Sequence, residues 1–401
     1  MLLERKKYLG IKYQTIKYNG GFAFIITSLM PNSPATKAGL QIDDMLIQIN
    51  RTSIHDSSLL TTTLATKEER ITFLVLRNGH KREIICQLEK KPFEENSLYD
   101  TLICGGIRLR MIITYPPIKQ SKYPLVIFIP GIYLMSVDFP FSSMHTYKQL
   151  IDKFTESGYM TIRVERPGIG DSEGKRNTDL GFHYECLIYQ TLLKHLTNNR
   201  IPKCDLNNII FMGYSMGGVI APIVSNNSNV NVAGIITYGT VFSSVTNYLL
   251  ENAKRNSISY NASIYKAPFF SRFLYYYLHK NLSPAQLHKI NPQYDKYFNN
   301  GETFLGRHYT YFQELNQINL KKTWLELKEM SILIMAGCLD SLISLNDQKA
   351  LYDLLVSQSN CKQSVSLKVI NANHDFCNLQ GILSPEGITE ILIFLNSIKK
   401  S

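Results

Sequence analysis

Long hydrophobic runs are missing from this 401-residue chain. Its apolar stretches are of strand length, well short of the ~18 consecutive apolar residues that a membrane-crossing helix needs, so no transmembrane segment is expected. The first residues, Met1-Leu2-Leu3-Glu4-Arg5-Lys6-Lys7-Tyr8, lack the apolar centre of a secretory leader. Cysteine is sparse, and its pattern excludes a disulfide framework: Cys86, Cys104, Cys186, Cys204, Cys338, Cys361 and Cys377 form no close pair, and seven is an odd number. Free thiols in a reducing cytoplasm are expected. The spacing offers no metal-ligand set, so neither a metal nor a cofactor is expected, and Cys338 and Cys377 read as packing residues. Acidic residues are also in short supply, 32 against 43 Lys and Arg, which leaves a net charge of +11. The basic residues are scattered, and short clusters such as Arg5-Lys6-Lys7 and Lys81-Arg82 are interrupted at once. That distribution reads as a solvated surface, not as a nucleic-acid site.

What is present is enough for real cores. Hydrophobic residues make up 44% of the chain, and its length allows two or three domains. The most informative stretch is Gly213-Tyr214-Ser215-Met216-Gly217, which follows the strand-like run Asn208-Ile209-Ile210-Phe211-Met212 and precedes Gly218-Val219-Ile220-Ala221-Pro222. A serine on so sharp a strand-to-helix turn is lifted clear of its sheet, and side chains at the flanking glycines would clash with the neighbouring strand and helix. Two later runs agree with a nucleophile here. Ser331 to Gly337 leads to Asp340, and Val365 to Ile370 leads through Asn371-Ala372-Asn373 to His374. A serine needs a base to take its proton, and the histidine needs a carboxylate to fix its tautomer and stabilise its charged form.

The order Ser215, Asp340, His374, each after a strand, resembles the α/β-hydrolases. The resemblance implies an α/β fold with a mostly parallel central sheet and a helical cap, over residues 98–401. It also implies an oxyanion hole. Tyr123 to Ile129 reads as a central strand ending in Pro130-Gly131-Ile132. In that family the loop at this point and the residue after the nucleophile each donate a backbone N–H, here Ile132 and Met216. Many relatives have His-Gly where this chain has Pro130-Gly131. The run Glu165-Arg166-Pro167-Gly168-Ile169-Gly170-Asp171-Ser172-Glu173-Gly174 resembles the family's D-x-R-G-x-G-x-S-x-G loop, with Glu165 for Asp and Pro167 inserted. It reads as a structural turn with no catalytic role.

Residues 1–90 follow a different pattern. Tyr8-Leu9-Gly10-Ile11 opens a strand-like stretch to Ile16, a turn at Asn19-Gly20-Gly21 leads to the strand Phe22 to Ile26, and Ser33-Pro34-Ala35-Thr36-Lys37-Ala38-Gly39-Leu40 reads as a short helix with a Ser cap and Pro at its first position. Asp43 to Asn50 reads as a strand, Asp56 to Leu64 as a helix, and Ile71 to Leu76 with Arg82 to Leu88 as a hairpin about Asn78-Gly79. Together these resemble a small α+β PDZ domain of the bacterial type. The resemblance implies that Tyr8, Leu9, Gly10 and Ile11 offer backbone N–H groups to the C-terminal carboxylate of a peptide or protein, which adds as a strand beside the groove helix. Asp43 stands where glycine is common. A PDZ fold that only packs on the hydrolase is the other reading. Residues 91–97, polar with Pro92, form the linker.

Between about 241 and 327 the sheet pattern stops. This insertion between the sixth and seventh strands reads as a helical cap, crowded with Tyr248, Tyr260, Tyr265, Phe269, Phe270, Phe273, Tyr275, Tyr276, Tyr277, Tyr294, Tyr297, Tyr309, Tyr311 and Phe312. These form either a pocket wall or a core. Ile388, Ile391, Leu392, Leu395 and Ile398, at helical spacing within Glu386 to Lys400, close the sheet. The resulting expectation is a serine hydrolase forming an acyl-enzyme on a small acyl substrate under the cap, cleaving an ester, thioester or amide. A peptidase, an acyl-transfer or macrocyclising enzyme, and a PDZ scaffold with an inactive hydrolase domain are the alternatives.

Overall fold

The structure, a computed structural model, describes residues 2–55, 59–64, 66, 68–141, 144–175, 180–198, 201–255, 267–327, 330–357 and 364–398. Asp56, Tyr260, Tyr265, Cys361 and Lys400, named above, lie outside the described residues. The chain divides into two compact units, Glu4–Phe93 and Met1–Leu3 with Glu94–Ser401.

The smaller unit contains β1 (Lys7–Tyr8), β2 (Ile11–Tyr18), β3 (Gly21–Leu29), α1 (Pro34–Lys37), β4 (Met45–Ile49), β5 (Thr52–Ser53), α2 (Leu59–Leu64), β6 (Arg70–Arg77), β7 (His80–Gln87) and β8 (Glu89–Lys90). Its main sheet runs β2-β3-β4-β6-β7, with β5 on β4, while β1 pairs with β8. Phe24, Ile26, Leu46, Ile71, Phe73 and Val75 alternate inward to make its core. Ser33 caps α1, its side chain accepting the Thr36 N–H. Strand β4 is shorter than the Asp43–Asn50 expected, because Asp43 (φ 68°) and Asn50 (φ 48°) are both left-handed and end the extended run. Asp43 therefore occupies the position where a positive φ makes glycine common, and Asp tolerates it.

The larger unit begins with β9 (Ser97–Cys104) and β10 (Ile107–Thr114), followed by β11 (Tyr123–Ile129), α3 (Thr146–Glu156), β12 (Met160–Val164), α4 (Phe182–Asn198), β13 (Cys204–Tyr214), α5 (Gly217–Asn226) and β14 (Val232–Tyr238). An insertion then holds α6 (Val245–Arg255), α7 (Ala267–Leu274), a π-helical turn (Tyr275–His279), α8 (Pro284–Ile290), a 3₁₀ turn (Pro292–Tyr297), β15 (Phe298–Asn299), β16 (Thr303–Phe304), β17 (Arg307–His308), α9 (Thr310–Asn316) and α10 (Leu320–Leu325). The chain closes with β18 (Ser331–Gly337), α11 (Leu345–Val356), β19 (Val365–Ile370) and α12 (Pro385–Ile398). The eight-stranded sheet runs β19-β18-β14-β13-β11-β12-β10-β9. Only β10 is antiparallel to its neighbours; the remaining pairs are parallel. Its strands bury both faces. In β13, Ile209 and Phe211 join the core under α4 and α5, and Ile210 and Met212 join the core under α3 and α12.

The insertion is helical in the main, as expected, but carries a small antiparallel sheet of β15, β16 and β17. The cause is a pair of tight turns. Asn300 and Gly301, then Leu305 and Gly306, all have positive φ, and the two-residue turn at Leu305-Gly306 has the handedness that antiparallel strands favour. The aromatic residues of the insertion pack on one another. Phe273 lies 4.2 Å from Tyr297, 5.4 Å from Tyr277 and 5.7 Å from Phe304, ring centre to ring centre. Of the two readings of these residues, this cluster is a core. Phe273 is fully buried; Phe273→Ala should therefore destabilise the larger unit by about 3–5 kcal/mol, seen as an earlier urea transition, with the KM for small esters unchanged.

Candidate active site

The three residues read from sequence meet at the carboxyl ends of the parallel strands, where open α/β sheets place their ligands. Ser215 follows β13, with φ 53° and its N–H donated to Tyr238 O at 2.8 Å. His374 follows β19, and its Nε2 lies 3.0 Å from Ser215 Oγ. Asp340 follows β18, and its Oδ2 lies 2.8 Å from His374 Nδ1. The other Asp340 oxygen accepts the N–H groups of Leu342 (2.8 Å) and Ile343 (2.9 Å), which fixes the carboxylate. The Asp340 side chain is buried and that of His374 nearly so. Two tyrosines hold the histidine loop from below: Tyr238 donates to Asn373 O and Tyr214 to His374 O. Gly239, with φ 56°, lets acid and base meet, since a Cβ there would lie 3.0 Å from Asp340 Oδ2 and 3.2 Å from the His374 ring.

The loop after β11 faces the serine. Gly131 donates its N–H to Tyr147 Oη at 3.1 Å and is thereby occupied. Burial pushes the Tyr147 hydroxyl up to about 12, so it remains a neutral phenol. Among the described residues, the N–H groups of Ile132 and Met216 have no protein acceptor. The D-x-R-G-like segment is structural at its far end, where Asp171 pairs with Arg110 and Ser172 Oγ accepts the Arg110 N–H. Its Arg166 reaches the Pro130-Gly131 loop, a role that sequence spacing did not disclose.

A hollow of about 430 Å³ opens over Ser215. Its described lining comes from the loops after β11, β13 and β19, the end of β13 and the start of α3, among them Tyr133, Met135, Met144, His145, Asp375 and Cys377, and none of it from the insertion. His145 caps α3 through Nδ1, which accepts the Tyr147 N–H; burial lowers its pKa, against a smaller opposing pull from Asp375. A larger hollow of about 790 Å³ lies at the other end of the strands, among Asn226 to Asn231 and α10, and its lining includes none of Ser215, Asp340 and His374. Among the described residues no cluster of His, Cys, Asp or Glu could hold a metal ion, and no helix is long and apolar enough to cross a membrane.

A sequence profile of the family described as "Serine aminopeptidase, S33" matches residues 141–369, more than half the chain. The chain belongs to this hydrolase family. The S33 region is preceded by a PDZ domain, whose profile matches residues 2–76. That N-terminal part is 32% identical over 74 residues to the "Probable protease eep" of Enterococcus faecalis, a match covering 18% of this chain and 18% of that protein. Solved structures share the fold of the S33 region. An esterase of Pyrococcus furiosus superposes with a TM-score of 0.50 at 15% identity, over 76% of this chain and 91% of its own. DcsB, in complex with its substrate analogue, gives 0.50 at 14% identity over 75% and 99%. The acylaminoacyl peptidase of Pyrococcus horikoshii gives 0.50 at 13% identity over 99% of this chain and 56% of its own. At these identities the likeness is one of fold. The elbow of this S33 member has no slack: a Cβ on Gly217 would overlap the carbonyl of Ile129 in the neighbouring strand. Gly217→Ala should therefore lower stability by about 2 kcal/mol or more and displace Ser215, read as a lower melting temperature together with loss of fluorophosphonate labelling.

Proposed function

We propose that this chain is a serine hydrolase acting through an acyl-enzyme on an ester, thioester or amide bond, and that its PDZ domain recruits a peptide or protein C-terminus. The observation that carries the first part is the continuous hydrogen-bonded series from Ser215 through His374 to Asp340, beside the N–H groups of Ile132 and Met216, which have no acceptor among the described residues. As Ser215 Oγ attacks the acyl carbon, His374 Nε2 takes its proton, and Asp340 holds the other ring nitrogen and stabilises the imidazolium. The oxyanion is received by the N–H groups of Ile132 and Met216. His374 then gives its proton to the leaving group. Water, deprotonated by the same histidine, releases the acid and restores Ser215. The hollow at Ser215 suits a small acyl substrate. Membership of a serine aminopeptidase family favours an amide bond as the second reading, and acyl transfer uses the same machinery. An inactive domain is disfavoured by the intact series of contacts. Free thiols at Cys86, Cys104, Cys186, Cys204, Cys338 and Cys377 support a cytoplasmic setting. Ser215→Ala should reduce turnover by roughly 10⁴-fold or more and abolish fluorophosphonate labelling, with the circular dichroism spectrum unchanged. Labelling that survives the substitution overturns the assignment of the nucleophile.

The recruitment reading is supported by the backbone of the Tyr8-Leu9-Gly10-Ile11 segment. Leu9 O accepts the Ala35 N–H at 3.0 Å and Gly10 O accepts the Met30 N–H at 2.9 Å. Because the C=O and N–H of one trans peptide unit point in opposite directions, the N–H groups of Gly10 and Ile11 face away from those partners. Strand β2 is also at an edge of its sheet, with β3 its only neighbour among the described strands, so its other side suits an added strand. A peptide ligand of the full chain should bind about 10-fold or more weaker when its C-terminal carboxylate is converted to an amide, as measured by fluorescence anisotropy. Equal affinity for acid and amide would remove the carboxylate from the recognition.

A further inference from the structure

Four consecutive carbonyl oxygens of the loop after β11 end on two buried arginines. Arg166 Nη2 donates to Gly131 O at 2.6 Å and reaches Pro130 O at 3.4 Å, and its Nη1 donates to Tyr133 O at 2.8 Å. Arg307 Nη1 donates to the carbonyl between them, Ile132 O, at 3.2 Å. Both guanidinium groups also close on one carboxylate. Glu185 Oε1 lies 2.8 Å from Arg166 Nε and accepts from Arg307 Nη2 as well. Tyr311 donates to Glu185 Oε2 at 3.0 Å, and its ring centre lies 4.1 Å from the Arg307 guanidinium. Arg166, Glu185, Arg307 and Tyr311 are all buried. The group holds two cations and one anion, and the four carbonyl dipoles meet the surplus positive charge.

We infer that Arg166 and Arg307, joined through Glu185, form a brace that orients the oxyanion-binding N–H of Ile132, and that Arg307 makes the insertion a working part of the catalytic centre. The inference rests on the reading of Ser215 as nucleophile. Its physical step is the geometry of a trans peptide: the Gly131 carbonyl and the Ile132 N–H belong to one plane and point in opposite directions. Arg166 draws that carbonyl away from Ser215, which turns the N–H toward it. Arg307, on β17 of the insertion, holds the next carbonyl and stops the plane from rotating about its far end. A buried ion cluster is weak support for stability in general. Here its geometric product is the direction of one N–H bond, and a misplacement of about 1 Å in a catalytic group costs up to 10²-fold in rate. Arg166, Arg307 and Glu185 are thus positioning residues, with no contact to the reacting atoms.

The test uses the full chain and counts active sites by fluorophosphonate titration, so that misfolded protein drops out of the comparison. Arg307→Met should lower kcat per titrated site on p-nitrophenyl butyrate by about 10- to 100-fold with little change in KM. Affinity for a trifluoromethyl ketone, whose hemiketal oxyanion occupies the same hole, should weaken by a similar factor. Arg307→Lys should recover part of both, because one ammonium cannot serve Ile132 O and Glu185 together as a guanidinium does. If Arg307→Met does not fold, Tyr311→Phe removes one bond to Glu185 at constant size and should give a smaller loss with the same pattern. A normal kcat per titrated site and a normal ketone affinity, with only a lower melting temperature, would show a purely structural cluster and overturn the brace. That failure is distinct from failure of the nucleophile assignment, which turnover by Ser215→Ala would reveal whatever the arginine variants do.

Discussion

Everything at the candidate site depends on how closely β13, β11 and α5 approach one another at Ser215. The serine sits at φ 53°, a conformation costly for a residue with a side chain, and its N–H is tied to Tyr238 O on the neighbouring strand. The sharp turn needs its glycines: a Cβ on Gly217 would overlap the Ile129 carbonyl, and one on Gly213 would lie 2.6 Å from the Gly217 carbonyl. Once the turn is made, the rest follows by adjacency. Strand β14 lies beside β13, and its Tyr238, with Gly239 just after it, meets the loops carrying His374 and Asp340. The same backbone contact that strains the serine thus sets the distance from nucleophile to base.

What the chain disclosed before folding was what is local. Glycines about a serine, apolar strand runs and the order of Asp340 and His374 are each written within a few residues, and the meeting of Ser215, His374 and Asp340 and the mostly parallel sheet could be read from them. The supports could not. Tyr147 receives the Gly131 N–H from 16 positions away, and Glu185 meets Arg307 across 122. Nothing near Glu185 in the chain marks it as the partner of two arginines. Arg166 lay in a recognised segment, yet spacing alone made it a turn residue.

The insertion shows a second limit. Its aromatic content was legible, but composition alone does not say whether rings face a pocket or one another, and the ring contacts about Phe273 decide for the latter. Its β15–β17 sheet was missed because the segments are two residues long and one turn uses Leu305, a residue seldom found at positive φ. That omission mattered. The turn at Leu305-Gly306 delivers Arg307 to the carbonyl of Ile132, so a hairpin invisible to periodicity places a hydrogen bond from the insertion on the loop after β11.

The two loops proposed to receive negative charge use one device with different partners. At Leu9-Gly10 and at Gly131-Ile132 the carbonyls are drawn inward and the following N–H groups face out. In the PDZ domain the inward partners are the neutral backbone N–H groups of Ala35 and Met30. In the hydrolase they are guanidinium groups. A bound carboxylate carries its charge throughout, so a neutral backing that fixes direction is sufficient for it. An oxyanion exists only in passing, and the donor must already be aligned when the charge appears, because reorganisation would cost rate at that moment. A charged donor on the carbonyl both stiffens the peptide plane and polarises it, which strengthens the N–H on its other side. With Ile132 as the proposed oxyanion donor, the guanidinium pair stands where a transient charge, and not a resting ligand, is to be met.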